Sequence, residues 1–326
     1  MLKLAPTIGY VIPMTATAID KLTIGSRGSP LALIQAEMVA AALRDAHPDI
    51  EIVVDTIRTT GDKVQDRPLA EIGGKGLFTK EIETALLDGR IDLAVHSTKD
   101  METQLPEGLC LAATLPREDP RDAFLSPKAE TLDALPAGSV IGTSSLRRRA
   151  QILNRWPELE VVPVRGNVET RLAKLERGEV DGTLLALAGL KRLDRSPEGM
   201  AVLAPEFMLP AAAQGAIGIE SRAADDSVSP LLASINDTES FHSVSVERAL
   251  LAALGGSCHT PVGALAEIEP GGQIRLRGLI ADPDGAWLFR IDRTANSEDA
   301  LELGATIGAE LRSNAIEQAG SGFFDE

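Results

Sequence analysis

The sequence predicts an α/β protein of mostly parallel sheets covered by helices, followed by a small α+β domain. Three observations predict it. Strand-length apolar runs alternate with helical stretches through most of the chain, and strand–helix–strand order is what parallel sheets require. After about residue 237 the pattern changes to helix, hairpin, helix. The chain has 326 residues, 44% hydrophobic and 25% charged, enough for two or three cores and too apolar for disorder.

The elements follow in order. Residues 21–25 read as a short strand. Ser29 is a good N-cap and Pro30 suits the first helical position, so LALIQAEMVAAAL is a helix whose free amides face the preceding turn. EIVVDTIRT at 51–59 alternates like a strand. Residues 60–78 are polar and glycine-rich without sustained period, a loop of the length usual for a lid or binding segment. KEIETALLDG is a helix ended by Gly89, and IDLAVHS is a buried strand. SVIGTSSLRRRAQILNR and LEVVPVRGNVETRLAKLERG each read as strand, polar turn and helix, and DGTLLALAGL as the next strand. In the last region SFHSVSVERALLAALGG is a helix, IRLRGLIADPDGAWLFRIDRT a hairpin turned at Asp-Pro-Asp-Gly, and EDALELGATIGAELRSNAI the closing helix.

Composition narrows the function. Lys and Arg number 32 against 48 Asp and Glu, a net charge of −16 that repels nucleic-acid backbones and anionic lipid. Aromatics are 3% of the chain, too few for base-stacking platforms. Two cysteines make no disulfide framework or zinc spacing, and no apolar run reaches membrane-spanning length. Residues 1–20 are broken by Pro6, Gly9 and Pro13 and are expected to be an N-terminal extension rather than a signal peptide. A cytoplasmic protein without nucleic-acid or membrane partners is expected.

Against this acidic background, cations recur at strand–helix turns: Arg27, the trio Arg147, Arg148 and Arg149, and Arg165 with Arg171. Ligands of open α/β sheets bind where strands end and helices begin, and guanidinium forks grip carboxylates two-pronged. A first-turn arginine opposes the helix dipole, so three such turns point to a polyanion pocket more than to solvated helix starts. In HSTKDM, Asp100 follows a buried strand and could be a general acid/base, a stabiliser of developing cation, or a solvated surface carboxylate. Lys99 beside it would aid anion binding. GGKGLF lacks Walker spacing and reads as a flap bearing Lys75 and Phe78. Cys110 lies in an apolar strand pattern and reads as an inert core thiol. Cys258, in LGGSCHTPVGA, is set among glycines at a helix end, which suits a nucleophile or a covalent anchor.

RGSPLAL, GGKGLFTKE, HSTKD, REDPRDAF, GTSSLRRR, RGNVETRL, AGLKRL, QGAIGIE and the GSC loop occur in that order over nearly the whole chain. Together they resemble the porphobilinogen deaminase (hydroxymethylbilane synthase) family. The resemblance implies two periplasmic-binding-protein-like domains, 20–115 completed by 216–236, and 116–215. A small cofactor-anchoring α+β domain, 237–326, would follow. It implies a transferase of porphyrin and heme biosynthesis, a monomer with no metal. Such an enzyme would extend a dipyrromethane, covalently attached through Cys258, by four porphobilinogen units and release a linear tetrapyrrole. Lys99, Ser145, Arg147 and Arg148 would bind cofactor carboxylates. Arg27, Ser29, Arg165, Arg171, Lys75, Phe78 and Gln214 would hold substrate, and Asp100 would face the pyrrole nitrogens as the catalytic group. Three residues depart from the family pattern: Glu71 where lysine is common, Glu102 where proline is frequent, and Ser257 where glycine often precedes the anchor. On the residues alone, a noncatalytic anion-binding module also fits the arginine turns but leaves Cys258 and Asp100 without work.

Overall fold

The computed structural model describes residues 19–63, 76–255 and 260–324. Lys75, Glu71, Ser257 and Cys258 of the sequence reading lie outside these residues.

In the first sheet, β1 (Lys21–Ser26) pairs in parallel with β2 (Glu51–Thr56) and with β3 (Leu93–Ser97). β10 (Ile217–Arg222) is antiparallel to both β3 and β4 (Leu109–Thr114), giving the order β2-β1-β3-β10-β4. The second sheet has the order β7-β6-β8-β5-β9, built from β5 (Asp122–Leu125), β6 (Val140–Gly142), β7 (Glu160–Val162), β8 (Gly182–Ala186) and β9 (Met200–Val202). β6 is parallel to β7 and β8, while β5 is antiparallel to β8 and β9. Each sheet therefore has one reversed strand, β10 or β5, and the rest run one way. In each case the reversed strand is the one the chain enters after crossing from the other lobe, through 115–121 or 203–216. The expected mostly parallel α/β sheets are present.

Helices cover both faces of each sheet. α1 (Pro30–Ala46) starts as its cap predicts: Ser29 Oγ accepts the Ala32 N–H at 3.3 Å. It buries Ala36, Val39, Ala40 and Leu43 against Leu22, Ile24 and Leu93, beside α7 (Ser229–Ile235). α2 (Thr60–Lys63) is one turn, so the segment expected as loop begins helically. α3 (Lys80–Leu87) covers the opposite face through Ile82, Ala85 and Leu86. In the second lobe, α4 (Leu146–Arg155) packs Ile152 onto Phe124, Ile141 and Leu184. α5 (Val168–Glu176) and α6 (Leu187–Arg192) close the other face. α6 corrects the sequence reading: the run expected to continue the strand through residue 190 turns helical at Leu187. Four fully apolar buried residues have no period that separates the two states.

The third sheet is the antiparallel β11 (Val262–Ile268), β12 (Gln273–Ala281) and β13 (Leu288–Asn296). One face carries α8 (Thr238–Leu254) and α9 (Ala300–Ala319) over Val246, Leu250, Ile274, Ile280, Ile307 and Leu311. The other face meets the second lobe, where Leu265 and Leu279 join Ala150 of α4 and Leu209 of the second crossover. The hairpin expected at residues 282–285 is present, with β11 as a third strand the sequence reading did not distinguish.

Candidate active site

Two elements of the first lobe and two of the second bring the expected residues to facing sheet edges. After β3 the chain makes a single 3-10 turn, Thr98–Asp100, which holds Lys99 and Asp100 at the strand end. Thr98 anchors that turn, its N–H and its hydroxyl both donating to the Ala216 carbonyl of the second crossover at 3.1 Å. Opposite, Ser145 caps α4 by accepting the Arg148 N–H at 3.4 Å, and Asn167 caps α5 by accepting the Thr170 N–H at 2.9 Å. These caps fix the first turns that carry Arg147, Arg148 and Arg171.

The charges converge. Lys99 is reachable by solvent but walled by protein, and that crowding lowers its ammonium to about 8. Arg148 and Arg147 add to the shift, while Asp100 and Asp122 oppose it. Lys99 Nζ donates to Gln214 Oε1 at 3.2 Å. Arg171 is half-buried, and its guanidinium is lowered to about 10, by lost hydration first and by Arg148 and Arg165, with Asp100 opposing them. Its Nε donates to the Gly166 carbonyl at 2.9 Å. One exposed carboxylate, Asp100, thus stands among Lys99 and Arg171, with Arg148, Arg147 and Arg165 close behind.

Arg147 and Arg148 are more deeply set than the sequence implied. Both are buried, and each guanidinium lies 2.8 Å from the fully buried Asp122 carboxylate. Arg147 also donates to the Leu209 carbonyl and Arg148 to the Leu184 carbonyl, each at 2.7 Å. Gln214 Nε2 adds bonds to Asp122 Oδ1 at 2.8 Å and to the Pro120 carbonyl at 2.7 Å. Burial alone would raise the Asp122 carboxyl; the two guanidiniums outweigh it and hold it well below the usual carboxylate range. A buried acid is therefore the reason two arginines sit in a helix's first turn. Asp122 is the residue sequence reading missed. Its signal was an aspartate opening the otherwise apolar run DAFL, where a carboxylate must find cations.

On the first-lobe edge, Arg27 stacks over the Phe78 ring at 4.1 Å, so the residue after β1 and the end of the flap meet. Gln35 of α1, also unassigned from sequence, shares bonds of 2.9 and 3.1 Å with Ser97 at the end of β3. Glu102, the departure from proline, accepts the Gly76 N–H at 2.8 Å and ties the flap's base to the Asp100 turn. Gly255 adopts φ 68° as the C-cap of α8, a left-handed turn that glycine makes without strain. Arg312 Nη1 binds the Leu254 carbonyl there at 2.7 Å. Cys110 is half-buried, its Sγ 3.9 Å from Ser221 Oγ, which corrects its reading as a core thiol. Among the described residues no group of His, Cys, Asp and Glu could hold a metal, and no helix is long and apolar enough to cross a membrane.

Residues 22–230 match the family model "Porphobilinogen deaminase, dipyromethane cofactor binding domain", and residues 241–313 match "Porphobilinogen deaminase, C-terminal domain". The chain is 50% identical to the chloroplastic porphobilinogen deaminase of Oryza sativa subsp. japonica, over 94% of this chain and 86% of that one. It is 53% identical to the porphobilinogen deaminase of Nitrobacter hamburgensis, over 93% and 95%. Among solved structures, the periplasmic aliphatic sulphonate-binding protein of Escherichia coli aligns at 14% identity and TM-score 0.41, over 72% of this chain and 71% of that one. The chain belongs to the porphobilinogen deaminase family.

Proposed function

We propose that this chain deaminates porphobilinogen and joins four units head to tail onto a dipyrromethane attached through Cys258, then releases the linear tetrapyrrole hydroxymethylbilane by hydrolysis, water supplying its hydroxyl and the dipyrromethane staying on the enzyme. The observation that carries this reading is the exposed carboxylate of Asp100 beside Lys99 and Arg171, which are themselves coupled to Arg147, Arg148 and Arg165. Each pyrrole unit bears two carboxylates, so a lengthening chain needs such a cationic crevice in a protein of net charge −16.

The donor set fits the cofactor. Lys99 and Arg171 have lost hydration that an anion would replace, and the Nε groups of Arg147 and Arg148 are buried without hydrogen-bond partners. Lys99, Ser145, Arg147 and Arg148 are the groups that would hold its carboxylates. When bound, the dipyrromethane supplies the pyrrole carbon to which the first unit is joined. Arg165 and Arg171, with Arg27, Ser29, Lys75, Phe78 and Gln214, would orient the incoming ring. Asp100 holds its negative charge toward the pyrrole nitrogen, stabilises the positive charge that develops as ammonia leaves, and takes the proton released when the new ring recovers its aromaticity. The soft thiolate of Cys258 suits a lasting bond to carbon. The protein works as a monomer in the cytosol, in keeping with two cysteines and no disulfide framework; the rice relative carries the name chloroplastic.

Incubation with porphobilinogen tests the reading. One ammonia released per pyrrole consumed, with a linear tetrapyrrole product, is expected. Tight binding without ammonia release would instead support a noncatalytic anion-binding module.

A further inference from the structure

The two crossovers that join the lobes are both fastened to one side chain of the third domain. Glu247, in the middle of α8, is fully buried. Its Oε1 accepts Arg117 Nη1 at 2.7 Å and the Ala266 N–H of β11 at 2.8 Å. Its Oε2 accepts Arg117 Nη2 at 3.1 Å and the Ala213 N–H. Arg117 belongs to the first crossover, 115–121, and Ala213 to the second, 203–216. A single carboxylate therefore accepts from both strands of the hinge and from the sheet behind it.

The same contacts lead to the crevice. Arg117 Nε donates to the Gln214 carbonyl at 2.9 Å, and its own N–H donates to Ser240 Oγ of α8 at 2.8 Å. The Gln214 side chain then holds Lys99 and Asp122. Ala213 has φ 59°, in the left-handed region that is strained for a residue with a Cβ. Such a conformation persists only where its surroundings over-determine it, and Glu247 is the group that holds its N–H.

From this geometry we infer that Glu247 is a positioning residue: it locks both crossovers to the third domain and thereby sets where Gln214 and Lys99 stand between the lobes. The inference rests on the reading of the crevice as the elongation site. α8, which carries Glu247, is also the helix whose end at Leu254 precedes the anchor loop, so the hinge and the departure point of that loop share one rigid element. Movement of the lobes is then registered against the anchor domain through this carboxylate.

Amide hydrogen exchange on the full-length protein tests it without using turnover. In Glu247→Gln, whose side chain keeps the volume but offers one acceptor oxygen, amides of 115–121 and of 209–216 should exchange at least about tenfold faster together. Amides of β1, β3, β6, β8 and β12 should stay as protected as in the wild type. A rise confined to 115–121, or a uniform rise through all three sheets, would overturn the inference. A second readout is the alkaline limb of primer loading onto the apoprotein, governed by Lys99. It should shift in Glu247→Gln because Gln214 no longer holds its place, and a plain loss of stability would not move it. If Glu247→Gln fails to accumulate, Arg117→Lys keeps the charge but loses the two-pronged contact, and the same paired rise is expected. An enzyme that proves inactive toward porphobilinogen would sink the elongation reading while leaving the exchange result to decide the role of Glu247 in the hinge.

Discussion

The Asp122 carboxylate meets the Arg148 guanidinium at 2.8 Å, with the two side chains 0% and 5% exposed. Asp122 is the first residue of β5, directly after the first crossover, and Arg148 lies in the first turn of α4. The pair, with Arg147 beside it, is linked through the Gln214 side chain to Lys99. Removing one partner of a buried ion pair leaves the other charge uncompensated, which costs more than the pair itself contributes.

Asp122→Asn is accordingly expected to destabilise the protein by about 3–5 kcal/mol, read as a lowered midpoint in urea unfolding. Asp100→Asn, on the exposed turn, should change stability by less than about 0.5 kcal/mol. Equal small effects would show that Asp122 is not the organising charge.

Catalysis should show the opposite order of sensitivity for Asp100. Asp100→Asn keeps the shape of the side chain but neither holds negative charge nor accepts a proton at neutral pH. Turnover is expected to fall by about 10²–10⁴-fold while porphobilinogen affinity stays within a few-fold, measured by single-turnover ammonia release and equilibrium binding. Unchanged turnover would remove Asp100 from its role.

The pH dependence follows from Lys99, whose pKa is lowered from 10.5 to about 8 in the folded protein. Between those values the unfolded chain binds the extra proton, so this group adds stability as pH rises from about 8 to 10.5. Anion capture runs the other way, since the charge is lost as pH passes 8. Loading of the apoprotein with the primer should therefore weaken above pH 8, and Lys99→Arg, which stays charged, should flatten that limb in a titration from pH 6.5 to about 9.5. An alkaline limb that persists unchanged in Lys99→Arg would assign it to another group.

Arg165 is close enough to Arg171 to lower its guanidinium and, on this account, holds growing chain rather than the primer. Arg165→Ala should leave the first addition nearly intact and stall later ones, visible as partly extended enzyme by native gel or intact mass. Uniform slowing of every addition would contradict that division of labour.

At the hinge, Gly215 has φ 90°, and a Cβ there would lie 2.3 Å from the Glu118 carbonyl oxygen of the other crossover. Gly215→Ala is expected to cost about 1–3 kcal/mol in thermal unfolding, because strain and backbone contact both oppose it.

Much of this was legible in the residues. Ser29 announced its helix by cap chemistry, and the cations after β1, β3, β6 and β7 fell where strand ends meet helix starts. What was not legible was long-range. Nothing local says that Arg117 will meet Glu247, 130 residues later, or that Gln151 will bond Leu209, because both contacts depend on how crossovers fold back between lobes. The short strands β5 and β9 carry too few residues for a period to show, and β10, buried on both faces, has no alternation. The helix at Leu187–Arg192 was hidden for the same reason. Nor could spacing reveal that Arg147 and Arg148 would spend much of their hydrogen-bonding capacity on Asp122 and on backbone carbonyls.

The central claim is a pyrrole primer joined to Cys258 and cradled by these cations. Intact-mass spectrometry of the purified protein addresses it most directly. The account predicts a wild-type mass above the 34.5 kDa of the bare chain by one dipyrromethane, and a Cys258→Ser variant without the increment. A fully active wild-type protein whose mass equals that of the unmodified chain would contradict it.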